Sequence, residues 1–191
     1  NLRYLSPLSF DERHRLSANI DYRYGSGIQY NGPRWFGADV FSEAGISLQA
    51  NAASGRPYTK EQRPDRFGSS GVGGAINGAR LPWNFSLDMR IDKSFRIAGK
   101  ENGKPLFMNV YLRVENLLDQ RNVVGVYAAS GSAYDDGYLV TPNGQSSIQT
   151  LIDSGREEDV DNYLISYQWG ELVPGFFTLP RRVYLGAVLQ F

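Results

Sequence analysis

The sequence predicts an all-β protein, an antiparallel transmembrane β-barrel to which this chain contributes about five strands. Apolar and polar side chains alternate with a period of two over five segments, whereas helical periodicity is weak. The segments run for about 11 to 15 residues, beyond the ~5–6 typical of soluble strands and sufficient for the ~9–11 of a membrane strand. The connections are alternately shorter and longer, as in transmembrane barrels.

The predicted strands share one design, with an apolar face opposite a polar face. In the third, the odd positions from Trp83 to Ile97 are apolar, interrupted only by Lys93. The five predicted strands span, in chain order, residues 13–24, 40–53, 83–97, 106–118 and 181–191. In a barrel, the apolar face meets acyl chains and the polar face lines the lumen.

The connections set the expected orientation. Residues 55–82 and 128–180 are long and are predicted to be extracellular loops, whereas residues 25–39 and the tight turn at 98–105 would face the periplasm. The glycine-rich stretch 68–78 lacks the ending of a phosphate-binding loop and is predicted to be a flexible loop.

The composition excludes several classes of function. Twenty basic and twenty acidic residues balance, so we expect no nucleic-acid partner. There is no Cys, and the one histidine, His14, lies on an apolar face near the predicted membrane interface, so we expect no enzyme, cofactor or metal centre. No apolar run reaches the ~18 residues of a transmembrane helix.

A soluble antiparallel sandwich with one solvated face would also produce the alternation. The strand lengths, the uneven loops and the Arg/Asp pairs on the polar faces favour the barrel. Five strands cannot close a barrel, since the smallest membrane barrels have about eight. We therefore expect further strands either upstream of Asn1 or on a partner chain, and both remain open.

Six short motifs in this order give the chain a family resemblance: residues 10–14 (FDERH), 54–58 (SGRPY), 81–83 (LPW), 87–90 (LDMR), 114–119 (VENLLD) and 184–191 (YLGAVLQF). With these motifs the chain resembles the C-terminal end of a TonB-dependent outer-membrane receptor. The resemblance implies the last five strands of a barrel of ~22 strands, integral to the bacterial outer membrane. It also implies energised uptake of a ligand, with a plug upstream of Asn1 and a TonB-type energiser as partners.

Charged residues on two neighbouring polar faces form a predicted ladder that faces the lumen. One register would set Asp92 against Arg113 and Arg90 against Glu115. The ladder would either build the barrel wall or touch a plug or a passing ligand. Its members are Asp88, Arg90, Asp92, Arg113 and Glu115.

Aromatic and acidic residues of the predicted loop 128–180 are candidates for contact with a ligand such as a carbohydrate, or with a surface lipoprotein. They are Tyr134, Asp135, Asp136, Tyr138, Tyr163, Tyr167 and Trp169. The acidic residues lack EF-hand spacing, so a solvated loop is favoured over a calcium site, which stays open.

The terminal strand resembles the signal that the barrel-assembly machinery reads, with Tyr184, Leu185, Leu189 and Phe191 as its parts. An ordinary hydrophobic terminus is the alternative. Two other functions also remain open: a docking barrel within an outer-membrane protein assembly, and a passive porin-like pore.

Overall fold

The computed structural model describes residues 5–64, 71–98 and 105–190. The described chain is mostly antiparallel sheet with few helices, which confirms the prediction at that level. The strands are β1 Arg15–Arg23, β2 Ala44–Ala53, β3 Pro57–Tyr58, β4 Ala79–Arg80, β5 Asn84–Ala98, β6 Leu106–Glu115 and β7 Arg182–Gln190.

Five strands form one sheet in the order β1-β2-β5-β6-β7, and β3 pairs with β4 in a separate two-stranded ladder. The larger sheet is not closed, because β1 and β7 lie at its two edges among the described residues. Closure into a barrel therefore stays a prediction.

The chain divides into two compact units. The sheet unit comprises Leu16–Ala52, Phe85–Gln120 and Pro180–Phe191. The helix-containing unit comprises Asn1–Arg15, Ala53–Asn84 and Arg121–Leu179.

Apolar side chains line up in rows across one face of the sheet unit. Ile91 of β5 lies opposite Leu112 of β6, which lies opposite Leu185 of β7. A parallel row joins Phe95, Met108 and Leu189. The outer members are exposed, Leu185 to 79%. This face is therefore apolar and uncovered within the described structure.

The polar face of the same sheet is internally hydrogen-bonded around Asp92, which is only 5% exposed. Both oxygens of its carboxylate accept from Arg23 Nη2 on β1 at 2.9 Å, and Oδ2 also accepts from Asn109 Nδ2 on β6 at 2.9 Å. Glu115 of β6 pairs with Arg182 of β7 at 2.6 Å. Ion pairs and side-chain hydrogen bonds thus connect the strands on this face.

The predicted pairing of Asp92 with Arg113 and of Arg90 with Glu115 is wrong. Arg90 lies opposite Arg113, and Asp92 lies opposite Tyr111. The observed register differs from the predicted one by two residues, and such a slip leaves every side chain on the same face. Hydrophobic alternation cannot distinguish these registers, whereas the irregularity between Arg96 and Ala98 offsets the pairing by one residue at the end of the ladder.

The fourth strand was predicted to continue to residue 118, but β6 ends at Glu115 because Asn116 adopts a left-handed backbone with φ +56°. The Asn116 side chain then closes a turn, accepting from the Gln120 amide at 2.9 Å and donating to its carbonyl at 3.1 Å. Asp119 completes the turn by accepting from the backbone N–H of Arg181 at 2.8 Å.

Two helices lie within residues 128–180, which the sequence predicts to be a long extracellular loop. They are α1 Pro142–Asp153 and α2 Glu158–Glu171. Thr141 caps α1 by accepting from the Gly144 amide at 3.1 Å, with Pro142 in the first turn, and three acidic residues open α2. These starting signals were present in the sequence, but the weak apolar periodicity of α2 hid that helix. No helix of the described chain is both long and apolar enough to cross a membrane.

Residues 10–14 are held in the helix-containing unit by charge pairs. Glu12 accepts from Arg15 at 2.7 Å and from Arg56 at 2.9 Å, and Asp11 pairs with Arg80. The Arg56 hydrogen bond lowers the pKa of Glu12, opposed by partial burial and aided by the Arg15 charge. The ring of His14 stacks parallel to Trp83 with centroids 6.0 Å apart. Two family-like motifs are thus joined to the residues before β1.

Some predicted features lie outside the described residues. The tight turn at 98–105 falls largely there, as do part of the glycine-rich stretch 68–78 and Phe191.

We predict that Asp92→Ala destabilises the protein by about 2 kcal/mol, because it leaves Arg23 and Asn109 without their acceptor. Urea unfolding of the refolded natural chain, followed by tryptophan fluorescence, would measure this. The matched control is Asp39→Ala, since Asp39 pairs with Arg34 at 2.9 Å in an exposed site; its expected cost is about 0.5 kcal/mol. Equal losses for the two variants would contradict the role given to Asp92.

Candidate ligand site in the helix-containing unit

The segment before α1 is shaped by two acidic side chains. Asp135 Oδ1 accepts from the Gly137 amide at 2.7 Å, and Asp136 Oδ1 accepts from the Tyr138 amide at 2.7 Å. Such Asx turns bend the backbone within two residues. Gly137 has φ +77°, a conformation that favours glycine. The turns hold both carboxylates close to the end of α2.

An inner cluster joins this segment to α2. Tyr167 donates its hydroxyl to Asp136 Oδ2 at 2.5 Å, and Glu171 Oε1 accepts from the Asp136 amide at 2.9 Å. Tyr127 donates to the Glu171 carbonyl at 2.7 Å. The rings of Tyr138 and Tyr167 stack with centroids 5.9 Å apart. These contacts fix the last turn of α2 against the preceding chain.

The electrostatics of the cluster disfavour negative charge. Burial raises the pKa of Glu171, which is 7% exposed, and the Asp136 carboxyl beside it acts in the same direction. Burial together with the hydrogen bond to Asp136 raises the pKa of Tyr167 far above its ordinary range. Burial, followed by the Glu171 and Asp136 charges, also raises the pKa of Tyr127.

A cavity of about 560 Å³ opens beside these groups. Its mouth carries large exposed side chains, including Trp169 (72% exposed), Tyr134 and Val140. The residues lining it are Tyr134, Asp135, Leu139, Val140, Gln168, Trp169, Glu171 and Leu172. An apolar wall thus faces two carboxylates.

The structure separates the seven loop candidates into two groups. Tyr134, Asp135 and Trp169 line the cavity. The other four, Asp136, Tyr138, Tyr163 and Tyr167, form or adjoin the inner cluster.

Sequence reasoning missed Glu171. Glu171 lies four residues after Tyr167, which places the two side chains on the same side of α2. This spacing could have identified Glu171 if the sequence had predicted the helix.

Asp135, Asp136 and Glu171 each place a carboxylate oxygen within 4.8 Å of the others. Carboxylates are calcium ligands, but acidic side chains also cluster without an ion. We assign no metal to this group.

The predicted lumen ladder lies in the sheet unit. Arg90 and Arg113 line a cavity of about 330 Å³ together with Asp88 and Asp21. The Arg90 guanidinium lies 4.4 Å from the Tyr111 ring centroid, and Arg113 pairs with Glu115 at 2.8 Å. Asp88 accepts from the Asn116 amide at 2.8 Å. The ladder is therefore satisfied by its own neighbours, in a register different from the one predicted.

The terminal strand places the described parts of the predicted assembly signal on two faces. Leu185 and Leu189 belong to the exposed apolar rows, whereas Tyr184 lies opposite Arg113.

The described fold and site define a mostly antiparallel β-sheet protein with a cavity beside its second helix. No family model, curated protein or solved structure matches the chain. The family resemblance therefore rests on the sequence motifs alone.

We predict that Tyr167→Phe destabilises the protein by about 1–3 kcal/mol, because Asp136 loses a hydrogen bond to its carboxylate. Tyr163→Phe is the matched control, since the buried Tyr163 hydroxyl has no hydrogen-bond partner in the described structure. That variant should be neutral or stabilising. Urea unfolding would measure both, and a larger loss for Tyr163→Phe would refute the assignment.

We predict that the segment packed against Glu171 opens more readily as pH rises, because burial and the neighbouring carboxyl groups oppose the ionisation of Glu171 more than the Asp136 amide favours it. A folded-state pKa above the ordinary 4.5 means that the protonated carboxyl favours folding, and this contribution is lost as pH rises through the raised pKa. Hydrogen exchange of peptides covering residues 134–140, corrected for intrinsic rates, should report it. Glu171→Gln should remove the pH dependence, whereas Glu158→Gln should keep it. An unchanged pH dependence in Glu171→Gln would refute the prediction.

Proposed function

We propose that the chain is part of an outer-membrane receptor of the TonB-dependent type, which takes up a ligand across that membrane with energy supplied from within the cell. The observation that supports a membrane location is the polarity of the sheet unit, in which apolar side chains are exposed and a charged side chain is buried. Its exposed side chains include Ile91, Phe95 and Leu185, whereas Asp92 is buried. A soluble sheet buries its apolar face instead.

Strand length supports the membrane setting. β2 and β6 have ten residues each and β5 has fifteen, against the ~9–11 that a tilted strand needs to cross a bilayer. No described strand pairs with the outer edges of β1 and β7, and these edges require further strands if the sheet lies in lipid, where every backbone polar group must be paired. Strands outside this sequence or on a partner would provide them.

Aromatic side chains flank the strands, as expected at membrane interfaces. Beyond the end of β1, Tyr24 contacts the rings of Tyr22, Tyr30 and Phe41 at centroid distances of 5.1 to 6.0 Å. Trp83 directly precedes β5. The one basic residue among the odd positions of β5, Lys93, donates its ammonium group to the Val40 carbonyl. This hydrogen bond satisfies a donor of the ammonium group, which lipid could not do.

The receptor part of the proposal is supported by the motifs. Residues 114–119 form the turn that ends β6, and residues 10–14 are tied by ion pairs to the segment at 54–58. The motifs therefore contribute contacts that shape the local structure of each unit. The proposal of substrate transport rests on the family resemblance, and so do the plug and the energiser.

These 191 residues contain no Cys, so an introduced cysteine is the single labelling site among them. Single cysteines at Leu185 and Tyr184 would carry spin labels on opposite faces of β7, in the full natural chain reconstituted into phospholipid bilayers. We predict that the label at residue 185 collides more often with oxygen, which partitions into lipid, and the label at 184 with a water-soluble nickel chelate. The same contrast is expected between Ile91 and Asp92 on β5.

If the nickel chelate reaches both faces equally, the membrane proposal fails. Uptake is tested separately, by comparing cells with and without the inner-membrane energiser. Equal uptake by the two strains would refute energised transport and leave the membrane fold standing.

A docking barrel is the second candidate, favoured by the exposed Tyr134 and Trp169 of the helix-containing unit. A photo-crosslinking residue at position 169 should capture one stoichiometric protein in native membranes if this is correct. A control label at the exposed Phe36 should not capture it.

A further inference from the structure

The cavity beside α2 is lined by carboxyl groups that form no ion pair with a described basic residue. Asp135 and Glu171 line it, and Asp136 adjoins them. Arginines pair with acids elsewhere in the described chain, but the salt bridges found there leave out all three of these residues. None of the residues lining the cavity is Lys, Arg or His.

The remaining wall of the cavity suits an apolar or aromatic group. Trp169, Tyr134, Val140 and Leu172 are exposed there. A Trp face attracts cations, and its contribution grows when the site excludes water. Apolar wall and carboxylates thus adjoin in one cavity.

We propose that this cavity binds a small organic cation that carries an aromatic or branched apolar group. Its ammonium group contacts the carboxylates of Asp135 and Glu171, and its apolar group packs against Trp169. The inference deepens the proposed receptor function, on which it rests, by naming the class of ligand.

The size of the cavity favours a small molecule. About 560 Å³ falls within the ~300–1,000 Å³ of typical ligand pockets. The carboxyl groups of the cavity favour one charge class of small molecule. An anion would be repelled by three neighbouring carboxyl groups, and a neutral sugar would leave their charge uncompensated. A cation compensates it, and binding should therefore favour the ionised form of Glu171.

The test uses tryptamine as the probe, titrated by calorimetry into the full natural chain in detergent micelles. Tryptophol, which replaces the ammonium group by a hydroxyl, is the neutral control, and indole-3-propionate is the anionic one. We expect tryptamine to bind at least about tenfold more tightly than either, since only its ammonium group donates charged hydrogen bonds to the carboxylates. Its affinity should rise with pH as Glu171 ionises, over the range in which the amine stays protonated.

Matched variants locate the site. Glu171→Gln and Asp135→Asn, which keep the hydrogen-bond acceptor, should each weaken binding about tenfold, and Trp169→Ala about three- to tenfold. Glu158→Gln and Trp35→Ala, at exposed positions that are not among the residues lining the cavity, should bind as the parent does. Equal binding of tryptamine and tryptophol, or unchanged binding by Glu171→Gln, would overturn the inference.

The outcomes separate this inference from the proposed function. A chain whose spin labels report lipid contact but which does not bind tryptamine overturns the ligand assignment alone. A chain that binds tryptamine through these residues but shows no lipid contact overturns the membrane proposal and supports the binding site.

Discussion

The buried carboxylate of Asp92 is the interaction on which the polar face of the sheet depends. It lies on β5 and holds Arg23 of β1 and Asn109 of β6, so one side chain links strands on both sides of its own. A carboxylate 5% exposed would be costly without such partners. Asn109 also donates to Ser94 at 3.1 Å, which extends the network along the strand. Polar groups here take the organising role that apolar packing has in a soluble sheet.

This inversion of polarity sets a physical requirement for the other face. Leaving apolar rows in water costs about 25 cal/mol of free energy for each Å² of apolar surface. One such row is formed by Phe95, Met108 and Leu189. Within the described residues nothing covers them, so the sheet needs an apolar surrounding or an apolar partner. Lipid meets that requirement for every row at once, and the lengths of the strands agree with it.

Sequence reasoning succeeded where the structure follows local alternation, and failed where it does not. The period of two located the strands because each side chain's face depends only on its position along the chain. It could not set the register, since a slip of two residues preserves both faces. The end of β6 depends on the left-handed Asn116, and Glu171 reaches Asp136 only through a helix of weak apolar periodicity. Those features are tertiary, although the cap at Thr141 and Pro142 was readable.

Asp92 and Glu171, both buried among the residues that the structure describes, illustrate different uses of the same chemistry. The carboxylate of Asp92 accepts hydrogen bonds from the guanidinium of Arg23 and the amide of Asn109, so its charge is compensated within the fold. Glu171 accepts from a backbone amide, which favours its charge, but burial and the neighbouring carboxyl groups outweigh this contact and raise its pKa. A fold that needed only stability could place an apolar residue or a glutamine there. An acid placed beside exposed aromatic side chains and an open cavity is therefore better explained by a cation that arrives from outside the chain.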